Sequence, residues 1–592
     1  MAPLPIEGYA LIGDCHTAAL VGSDGSIDWL CLPRFDSASV FGSLLGTEDH
    51  GRWLLAPAGA STSSRRYEGD TFTLVTNWVT ATGEVEVTEV MPIGDRRADI
   101  IRRVRGIRGS VDMHQDLRMR FDYADAIPWV KQLDGNEHAI VAVAGPDAIV
   151  VHGPELVPHD DRSHSSDFTV TEGEIVDITL TWYPSHRPAP PVLDVATRIA
   201  ETNEWWTEWL ATCDVPESYA DEVRRSLLIL RALTHEDTGG IVAAATTSLP
   251  EEFGGQRNWD YRYVWLRDAS LTLDALLKHG FRKEADGWRN WLLRAIAGDP
   301  GDVQIMYGIA GERRLPEWET PSLPGYDGAG PVRIGNEAYL QYQGDVFGEV
   351  MLALQHARER GRDEPDFSWP LQRALMGFVE ENWTRPDNGI WEIRGDMQHF
   401  THSRVMLWAA FDCAIRAVEN FGLDGPVERW HRLRDEIAAE VEAKGFDSER
   451  NTYVQYYGST EVDASLLVLP QTGYLAPDDP RMLGTVAAIE RDLLHNGLLM
   501  RYRTESGVDG LPAGENPFLA CSFWLAEQYA GSGRVDEAVA LMDRLCSFRN
   551  DVGMLSEQYD PVSERQAGNT PQAFSHLALV RTADAIAAAR RR

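Results

Sequence analysis

Residues 186–213 read "HRPAPPVLDVATRIAETNEWWTEWLATC", and the chain changes its periodicity within this stretch. Three prolines end the preceding strand pattern, because proline cannot donate to the hydrogen-bond ladder of a sheet. Apolar residues then recur at the spacing of a helix face. The stretch therefore predicts a linker helix between two domains of different class: residues 1–190 form the first domain, 191–215 the linker and 216–592 the second domain.

Upstream of this stretch, apolar and polar residues alternate in short runs that Gly, Asp, Ser and Pro interrupt. Three of these runs are "TFTLVTNWVTA", "EVEVTEVMP" and "IVDITLTWYP". Asp24-Gly25 stands between "AALV" and "IDWLCLP", and this pair is a hairpin turn signal between two β-forming flanks. Many short strands at this spacing predict an antiparallel sandwich or barrel.

Downstream of the linker, helical periodicity takes over and predicts twelve segments. The segments lie near residues 217–235, 263–280, 282–297, 335–360, 367–383, 402–422, 426–445, 462–470, 479–495, 516–532, 534–548 and 571–590. The connections between them alternate in length. The long connections follow the odd-numbered segments, at residues 236–262, 298–334, 384–401, 446–461, 496–515 and 549–570.

The alternating loop lengths predict how the helices are arranged. Short loops join antiparallel neighbours, whereas loops above about a dozen residues in a compact domain are usually functional. If consecutive helices run up and down, all the long loops emerge at one end. Helix pairs that close into a ring would form an (α/α)6 barrel with one elaborate face. A helical solenoid is the alternative, but the sequence carries no repeat at a fixed period.

The composition is that of a folded and strongly acidic protein. The chain has 592 residues, of which 43% are hydrophobic and 25% charged, and a formal net charge of −36. This charge argues against nucleic acid and anionic membranes as partners, since both bind basic surfaces. The 19 Trp suit a large aromatic core or a site that stacks on sugars. A neutral small molecule is the expected partner, and a homo-oligomer is compatible with the sequence.

No segment predicts secretion or membrane insertion. The first residues lack a basic stretch followed by an apolar one, and no apolar run approaches the roughly 18 residues of a membrane span. The six cysteines are scattered without CxxC spacing, so neither a disulfide framework nor a zinc site is expected. We therefore expect a cytoplasmic protein with free thiols.

The first long loop ends in a dense cluster of polar and aromatic residues, "QRNWDYRYVWLRDAS" (256–270). In such a cluster Trp265 can stack on a sugar ring, while Arg267 and Asp268 hydrogen-bond hydroxyl groups in two directions. The alternative is an interfacial aromatic patch with ion pairs. We favour a sugar-binding floor.

Two other long loops each supply one carboxyl group. The third loop contains "NGIWEIRGDMQHF" (388–400), in which Glu392 stands between Trp391 and Ile393. Apolar neighbours desolvate the charged form of a carboxyl group, which raises its pKa and favours a general acid. The alternative is a simple ion pair with Arg394. The sixth loop contains "MLSEQYDP" (554–561), where Glu557 lies among polar residues with room for solvent.

The predicted ring brings these loops together. Its first and last loops are neighbours, and the third lies across the opening from the last. Glu392 and Glu557 would then face each other above Trp265, Arg267 and Asp268. Glycoside hydrolysis needs such a pair, because one carboxyl protonates the departing oxygen while the other activates water or attacks the sugar carbon.

At these residues the sequence resembles glycoside hydrolase family 15, the glucoamylases and bacterial trehalases. The matching stretches are "YRYVWLRD" (261–268), "GIWEIRG" (389–395), "MRYRTESGVDGLPAGENPF" (500–518) and "LSEQYDP" (555–561). The stretch "IGDCHTAALVGSDGSIDWLCLPRFDS" (12–37) is similar to the β-sandwich domain that precedes the barrel in bacterial members. The resemblance covers nearly the whole chain and implies a β-sandwich followed by an (α/α)6 barrel.

The resemblance also implies roles for single residues. Glu392 matches the general acid, with Trp391 beside it, and Glu557 matches the general base that activates water. The residues that match those holding the non-reducing terminal glucose are Tyr261, Trp265, Arg267, Asp268 and Arg501. Fungal glucoamylases carry a second Glu directly after the acid, where this chain has Ile393. The contact of that second carboxylate with the sugar is therefore missing or supplied elsewhere.

The remaining long loops carry weaker candidates. In the second loop Trp318 stands between Glu317 and Glu319. Carboxylates two residues apart can hardly occupy opposite faces of one sugar, so we expect Trp318 to belong to a substrate wall, with a structural loop as the alternative. Arg333 and Asn336 resemble the family's loop near the pocket. The fifth loop offers candidate hydroxyl ligands or rim charges, namely Arg501, Arg503, Glu505 and Glu515.

No other chemistry is indicated. His399 and His402 border the acid loop without metal-ligand spacing, so we expect structural histidines and no metal or other cofactor. Phosphate-binding and nucleophile-elbow motifs do not occur in the sequence. The sequence thus predicts an inverting, exo-acting α-glucoside hydrolase that releases β-glucose from trehalose or short α-gluco-oligosaccharides. The alternatives are an α-glucoside phosphorylase and a carbohydrate-binding protein without catalysis.

Overall fold

The computed structural model describes residues 3–94, 97–133, 135–362 and 364–591, which form an N-terminal antiparallel β-sheet domain and a helical C-terminal domain. The described residues before the linker helix form fifteen strands. They are β1 (Tyr9–Gly13), β2 (Ala18–Gly22), β3 (Ser26–Cys31), β4 (Ser39–Phe41), β5 (Arg52–Pro57), β6 (Ser61–Tyr67), β7 (Leu74–Thr80), β8 (Gly83–Val90), β9 (Ala98–Arg118), β10 (Trp129–Leu133), β11 (Asn136–Ala144), β12 (Asp147–His152), β13 (Val157–Pro158), β14 (His164–Thr171) and β15 (Ile175–Pro184).

The long strand β9 belongs to two sheets. Its first half pairs with β8 and β15, and its second half pairs with β5 and β14, all antiparallel. Gly106 lies where the strand passes from one set of partners to the other, and a Cβ there would stand 1.9 Å from the carbonyl oxygen of Thr171. Only glycine permits this close backbone approach. One sheet then runs β1-β2-β3-β5-β9-β14-β13, with β4 on β3, and the other runs β6-β7-β8-β9-β15-β12-β11-β10.

The linker helix α1 (Val195–Leu210) follows the sheets, and its N-cap Asp194 accepts a hydrogen bond from the backbone of Thr197. Eleven α-helices and one 3₁₀ helix then match the twelve predicted segments among the described residues. They are α2 (Ala220–Ala232), α3 (Leu266–Lys278), α4 (Arg282–Ala295), α5 (Asp345–Glu359), α6 (Ser368–Asn382), α7 (Thr401–Phe421), α8 (Val427–Lys444), the 3₁₀ helix Ala464–Thr472, α9 (Pro480–Leu493), α10 (Leu519–Gly531), α11 (Val535–Cys546) and α12 (Ala573–Arg590).

Two segments differ from the prediction in detail. The predicted helix 335–360 begins as α5 only at Asp345, because residues 337–340 form a separate 3₁₀ turn and Gln341 is extended. The side-chain amide of Gln341 instead supports the third long loop, as described below. The eighth segment is 3₁₀ rather than α-helical and contains Pro470, which has no N–H for an α-helical hydrogen bond.

Six of the segments contact one another in sequence around the domain: α3 packs on α5, α5 on α7, α7 on the 3₁₀ helix, the 3₁₀ helix on α10, α10 on α12 and α12 on α3. The other helices pack outside these neighbours, as α4 does on α3 and α8 on α7. The burial of the helices agrees with this arrangement. Nearly every residue of the inner helix α10 is buried, whereas the outer helix α11 buries only one face, with Ala538, Met542 and Leu545. Each long loop leads into the N-terminal end of one of the six inner segments.

The two domains are joined by buried polar contacts. The indole N–H of Trp29 in β3 donates to the carbonyl oxygen of Ala245 at 2.9 Å. The guanidinium of Arg262 forms an ion pair with Asp260 at 2.7 Å and donates to Ser37 O and Tyr123 Oη at 2.8 and 2.9 Å. The sheets therefore support the first long loop. Across the described ranges, no helix is both long enough and apolar enough to cross a membrane.

Candidate active site

The long loops surround a cavity of about 710 Å³, a volume that includes its open mouth. All of the cavity's lining residues belong to the helical domain. The cavity brings together most of the site residues predicted from sequence: Tyr261, Trp265, Arg267, Asp268, Trp391, Glu392, Arg501 and Glu557. Residues from loops more than a hundred positions apart thus meet in one place.

Glu392 lies between aromatic and cationic side chains. Its Oε1 accepts a 2.6 Å hydrogen bond from the indole N–H of Trp265, and a nitrogen of Arg267 stands 3.7 Å from the same oxygen. Burial raises the pKa of the Glu392 carboxyl above its usual value, while Arg267 and the Trp265 N–H act in the opposite direction. The predicted increase is confirmed in direction. The alternative of an ion pair with Arg394 does not occur, because Arg394 pairs with Glu317 at 2.7 Å.

The backbone of the acid loop adopts an uncommon conformation at this residue. Glu392 has φ of 58°, in the left-handed region that non-glycine residues seldom adopt. Two side-chain amides hold the loop in place: Gln341 Nε2 donates to the carbonyl oxygens of Glu392 and Ile393 at 3.0 and 3.3 Å, and Asn388 Nδ2 donates to Ile393 at 2.8 Å. These contacts fix the direction in which the carboxyl group leaves the loop.

Glu557 is buried rather than solvated, which corrects the expectation of a polar loop with room for solvent. The residue is only 1% exposed. Its Oε1 accepts a 2.6 Å hydrogen bond from the hydroxyl of Tyr261, and its buried Oε2 has no hydrogen-bond partner among the described residues. Close packing explains the burial, since a Cβ on Gly568 would lie 2.7 Å from Oε2.

Three carboxyl groups share the surroundings of Arg501. Its guanidinium pairs with Glu251 at 3.0 Å and with Glu515, and it lies 5.7 Å from the ring of Trp391. Burial and the nearby Glu251 carboxylate raise the pKa of Glu557 well above its usual value, and Arg501 and the Tyr261 hydroxyl only partly oppose them. Arg501 thus lies among three carboxyl groups and pairs directly with two of them.

Arg267 and Asp268 lie at the start of α3. Arg267 Nε donates to Asp268 Oδ1 at 2.8 Å, and its Nη1 donates to the carbonyl oxygen of Ile390 at 2.6 Å. This contact ties the first long loop to the third. Trp265, expected to stack on a sugar, is 2% exposed, and its N–H is bonded to Glu392. Its geometry is that of a group that orients the acid.

Trp391 lines the cavity beside Glu392, and a hydrogen bond holds its ring in place. Its indole N–H donates to Asp463 Oδ1 at 2.8 Å, and Asp463 also caps the 3₁₀ helix through Ser465. The N-cap of the 3₁₀ helix, directly after the fourth long loop, therefore supports this ring.

Trp318 and Arg333 do not line the cavity. They lie on a short ribbon in which Trp318–Glu319 pairs with Arg333–Ile334. Trp318 is 46% exposed and contacts Tyr123 of the sheet domain. Arg333 donates to the carbonyl oxygens of Gln256 and Asn258 and stacks 4.5 Å from the ring of Trp259, which does line the cavity. The expectation that these two side chains meet the substrate is corrected, since they support the wall from outside.

Several lining residues were not singled out from the sequence. Among them are Glu251, Arg257, Trp259, Asp509 and Phe574. Arg257 pairs with Asp509 at 2.7 Å across two loops, although the residues are 252 positions apart. Arg503 and Glu505, by contrast, do not line the cavity. Glu515 does not line it either, but it forms an ion pair with Arg501, which does. Local signals existed for Arg257 and Trp259, which lie in the cluster of the first long loop, and for Asp509, which lies in the stretch 500–518.

Comparison with known proteins identifies the family of the chain. The model of the family described as "Glycosyl hydrolases family 15" matches residues 217–584, and one described as "Trehalase-like, N-terminal" matches residues 1–174. A trehalase of Mycolicibacterium smegmatis is 37% identical over 611 residues, which span 97% of this chain and 90% of the relative. A trehalase of Thermoplasma volcanium is 33% identical over 605 residues, which span 98% and 94%.

The fold also resembles a solved structure. A bacterial glucoamylase complexed with acarbose superposes with a TM-score of 0.75 over 100% of this chain and 94% of that chain, at 13% identity. This likeness concerns the fold alone. The family model covers more than half of the chain, and the relatives match along nearly all of it. The chain therefore belongs to glycosyl hydrolase family 15, and it is a glycoside hydrolase.

Proposed function

We propose that this enzyme is an inverting, exo-acting α-glucosidase with Glu392 as general acid and Glu557 as general base. The observation that carries the proposal is the matched setting of two carboxyl groups in one cavity. Each has one oxygen held by an aromatic side chain: the N–H of the buried Trp265 binds Glu392 Oε1, and the O–H of the half-buried Tyr261 binds Glu557 Oε1. Glu557 Oε2 is buried and has no hydrogen-bond partner in the described part of the chain, so we propose it as the atom that takes the proton from water.

The chemistry needs one displacement. The proton on Glu392 passes to the glycosidic oxygen as the bond from that oxygen to the anomeric carbon breaks. A water molecule attacks the same carbon from the opposite face and gives its proton to Glu557 Oε2. Inversion requires about 6.5–9.5 Å between the two carboxyl groups, which leaves room for that water. A raised pKa suits the acid, which must be protonated before the step.

The terminal glucose is proposed to bind at the closed end of the cavity. Arg267 and Asp268 form a fixed ion pair there, and Arg501 is held by Glu251 and Glu515. Charged groups that are already oriented can hydrogen-bond the hydroxyls of a sugar with little ordering cost. Trehalose is the substrate we propose, because the relatives that match the chain along its whole length are named trehalases. Short α-linked gluco-oligosaccharides are the second class of substrate that we propose.

We also propose the finer architecture. The six inner segments that contact one another in sequence support an (α/α)6 barrel. The two sheets that share β9 support a β-sandwich. The proposed division is residues 1–190 for the sandwich, 191–215 for the linker and 216–592 for the barrel. The six free cysteines, four of them buried, favour a reducing compartment and hence the cytoplasm.

Proton NMR during the first minutes of trehalose hydrolysis tests the reaction. Inversion yields one β-glucose from the cleaved residue and one α-glucose from the leaving group, so both anomers should rise together before mutarotation. Release of α-glucose alone would contradict inversion. Formation of glucose 1-phosphate only when phosphate is supplied would identify a phosphorylase, and binding without turnover across a panel of disaccharides would identify a carbohydrate-binding protein. Maltose, isomaltose, kojibiose and nigerose complete that panel.

A further inference from the structure

The residue directly after the acid faces away from the cavity. Ile393 is 1% exposed and packs with Phe400 and Tyr502 in a small apolar cluster of its own. It therefore cannot make the sugar contact that a second carboxylate would make at this position. The next residue, Arg394, does line the cavity.

Arg394 is held in a fixed orientation. Its Nη2 and Nη1 donate to Oε2 and Oε1 of Glu317 at 2.7 and 3.2 Å, a fork-to-fork pair. Its guanidinium lies 4.2 Å from the ring of Trp259. The Nε–H of Arg394 donates to no group in the described part of the chain, so this donor is left for a ligand.

A second arginine packs on the wall that Arg394, Trp259 and Glu317 form. Arg333 stacks on Trp259 at 4.5 Å, and its Nε lies 3.5 Å from Glu317. Glu317 thus joins both guanidinium groups, and Trp259 contacts both. Few side-chain torsions remain to be ordered when a sugar meets this wall, which favours binding.

Exposure places this wall toward the mouth. The Arg394 side chain is 26% exposed, whereas those of Asp268 and Arg501 are 7% and 9% exposed. An exo-acting enzyme holds the terminal sugar at the closed end, so the leaving group extends toward the mouth. Arg394 also follows the acid by two positions, and the acid delivers its proton to the leaving group.

We infer that Arg394, with Trp259 beside it and Glu317 behind it, forms the binding site for the leaving sugar, a neutral pyranose such as the second glucose of trehalose. This inference rests on the proposed function. Arg394 donates to hydroxyl oxygens of the leaving ring, and Glu317 sets the direction of its guanidinium. The wall selects substrates whose leaving group is a pyranose over those with a small leaving group.

The test compares trehalose with α-glucosyl fluoride, which has the same glucosyl group but no leaving sugar. Arg394→Ala should lower kcat/KM for trehalose about tenfold to a hundredfold, the effect of losing a hydrogen bond from a charged donor. The fall on trehalose should exceed the fall on the fluoride by at least about tenfold. Arg394→Met, which keeps an apolar stem over Trp259, should show the same difference and guards against misfolding. Glu317→Gln should shift the ratio in the same direction by a smaller factor.

Arg503→Ala is the matched control, because this exposed arginine of the fifth long loop lies outside the cavity. It should alter neither substrate. Equal losses on trehalose and fluoride in both Arg394 variants, or no loss on trehalose, would overturn the inference while leaving the proposed function intact. If the wild-type enzyme hydrolyses neither substrate, the proposed function fails and the inference fails with it.

Discussion

Glu557 owes its protonation behaviour to residues that are remote from it in sequence. Burial and the Glu251 carboxylate raise its pKa, and Arg501 must neutralise Glu251 and Glu515 as well. In the proposed mechanism Glu557 is the general base and acts only when deprotonated, so activity should rise as pH increases through its pKa. The raised pKa therefore moves the acid limb of the pH profile to higher pH. The raised pKa of Glu392 keeps the acid protonated to higher pH on the alkaline limb.

Glu251→Gln tests this coupling. Removing the carboxylate removes a repulsion that disfavours ionised Glu557, so the acid limb of kcat/KM should move to lower pH. The alkaline limb should stay in place, since the pKa of Glu392 depends on burial, Arg267 and Trp265 instead. The exposed neighbour Glu252 provides the control as Glu252→Gln. An acid limb that does not move, or a shift of both limbs together, would contradict this assignment of the base.

Gly568 limits the position of the Glu557 carboxyl group, the proposed base. It has φ of 74°, and a Cβ there would stand 2.7 Å from Oε2 and 2.8 Å from Cβ of Glu557. Gly568→Ala should displace the carboxyl group and lower kcat by about tenfold to a hundredfold, since misplacement by roughly 1 Å has effects of this size. Gly458→Ala is the control, because Gly458 has φ of 86° with nothing near its Cβ position. Comparable loss of kcat in both variants would show that backbone strain, not contact with Glu557, is responsible.

At the scale of elements, the six inner segments surround a second cavity on the far side of the catalytic floor. It occupies about 1240 Å³ including its opening, and Arg267, Ile390 and Phe574 line both cavities. Its walls are largely apolar and include Ala353 of α5, which is 2% exposed. The inner helices therefore meet without filling the space between them, and dispersion contacts are lost there.

Ala353→Leu should fill part of this space. Burying the added carbons should raise the free energy of unfolding by about 1–2 kcal/mol, because leucine suits a helix and gains apolar contacts. Thermal unfolding measures the change as an increased melting temperature. Ala439→Leu on the exposed face of α8 adds the same group without burial and should change little. A lower melting temperature for Ala353→Leu would show that the space cannot accept the side chain.

At the scale of the whole molecule, the sheet domain supports the site without lining it. Arg262 links the two, because it pairs with Asp260 and donates to Ser37 and Tyr123 of the sheet domain. It directly follows Tyr261, whose hydroxyl binds the base. The buried Arg262 guanidinium, together with the Trp29–Ala245 hydrogen bond, therefore ties the first long loop to the sheets.

Arg262→Met should lower stability by about 3–5 kcal/mol, because it leaves the buried Asp260 carboxylate without its cation. Tyr123→Phe should cost only about 1 kcal/mol, since it removes one hydrogen bond from Arg262 and a long one of 3.5 Å to Ser37 O, and leaves the Asp260 ion pair intact. Thermal unfolding and kcat should be measured together, because loss of the Arg262 contacts also removes a constraint on the neighbouring Tyr261. The exposed Arg108 gives the control as Arg108→Met. If Arg262→Met is as stable as the wild type, the contacts of the Arg262 guanidinium do not contribute to stability.

The sequence by itself determined the class of each domain and singled out the two carboxyl groups that we propose as acid and base. Periodicity changes at residues 186–213 because a strand buries alternate residues and a helix buries every third or fourth. The twelve helical segments and the long loops between them follow from that pattern. Glu392 could be recognised because its sequence neighbours are apolar, and burial does raise its pKa.

Only the tertiary structure decided which side chains meet. Glu251 and Arg501 are 250 positions apart, and Trp265 and Glu392 are 127 apart. Local patterns carry no information on such pairs, because the path of each long loop depends on what the other loops and the sheets leave open. For the same reason Trp318 lies outside the cavity, Glu557 is buried, and Arg394 rather than Ile393 lines the site. The pattern of buried residues along a helix or strand can be read from the local sequence. The electrostatics of the site cannot, because they depend on distances between side chains that come together only when the chain folds.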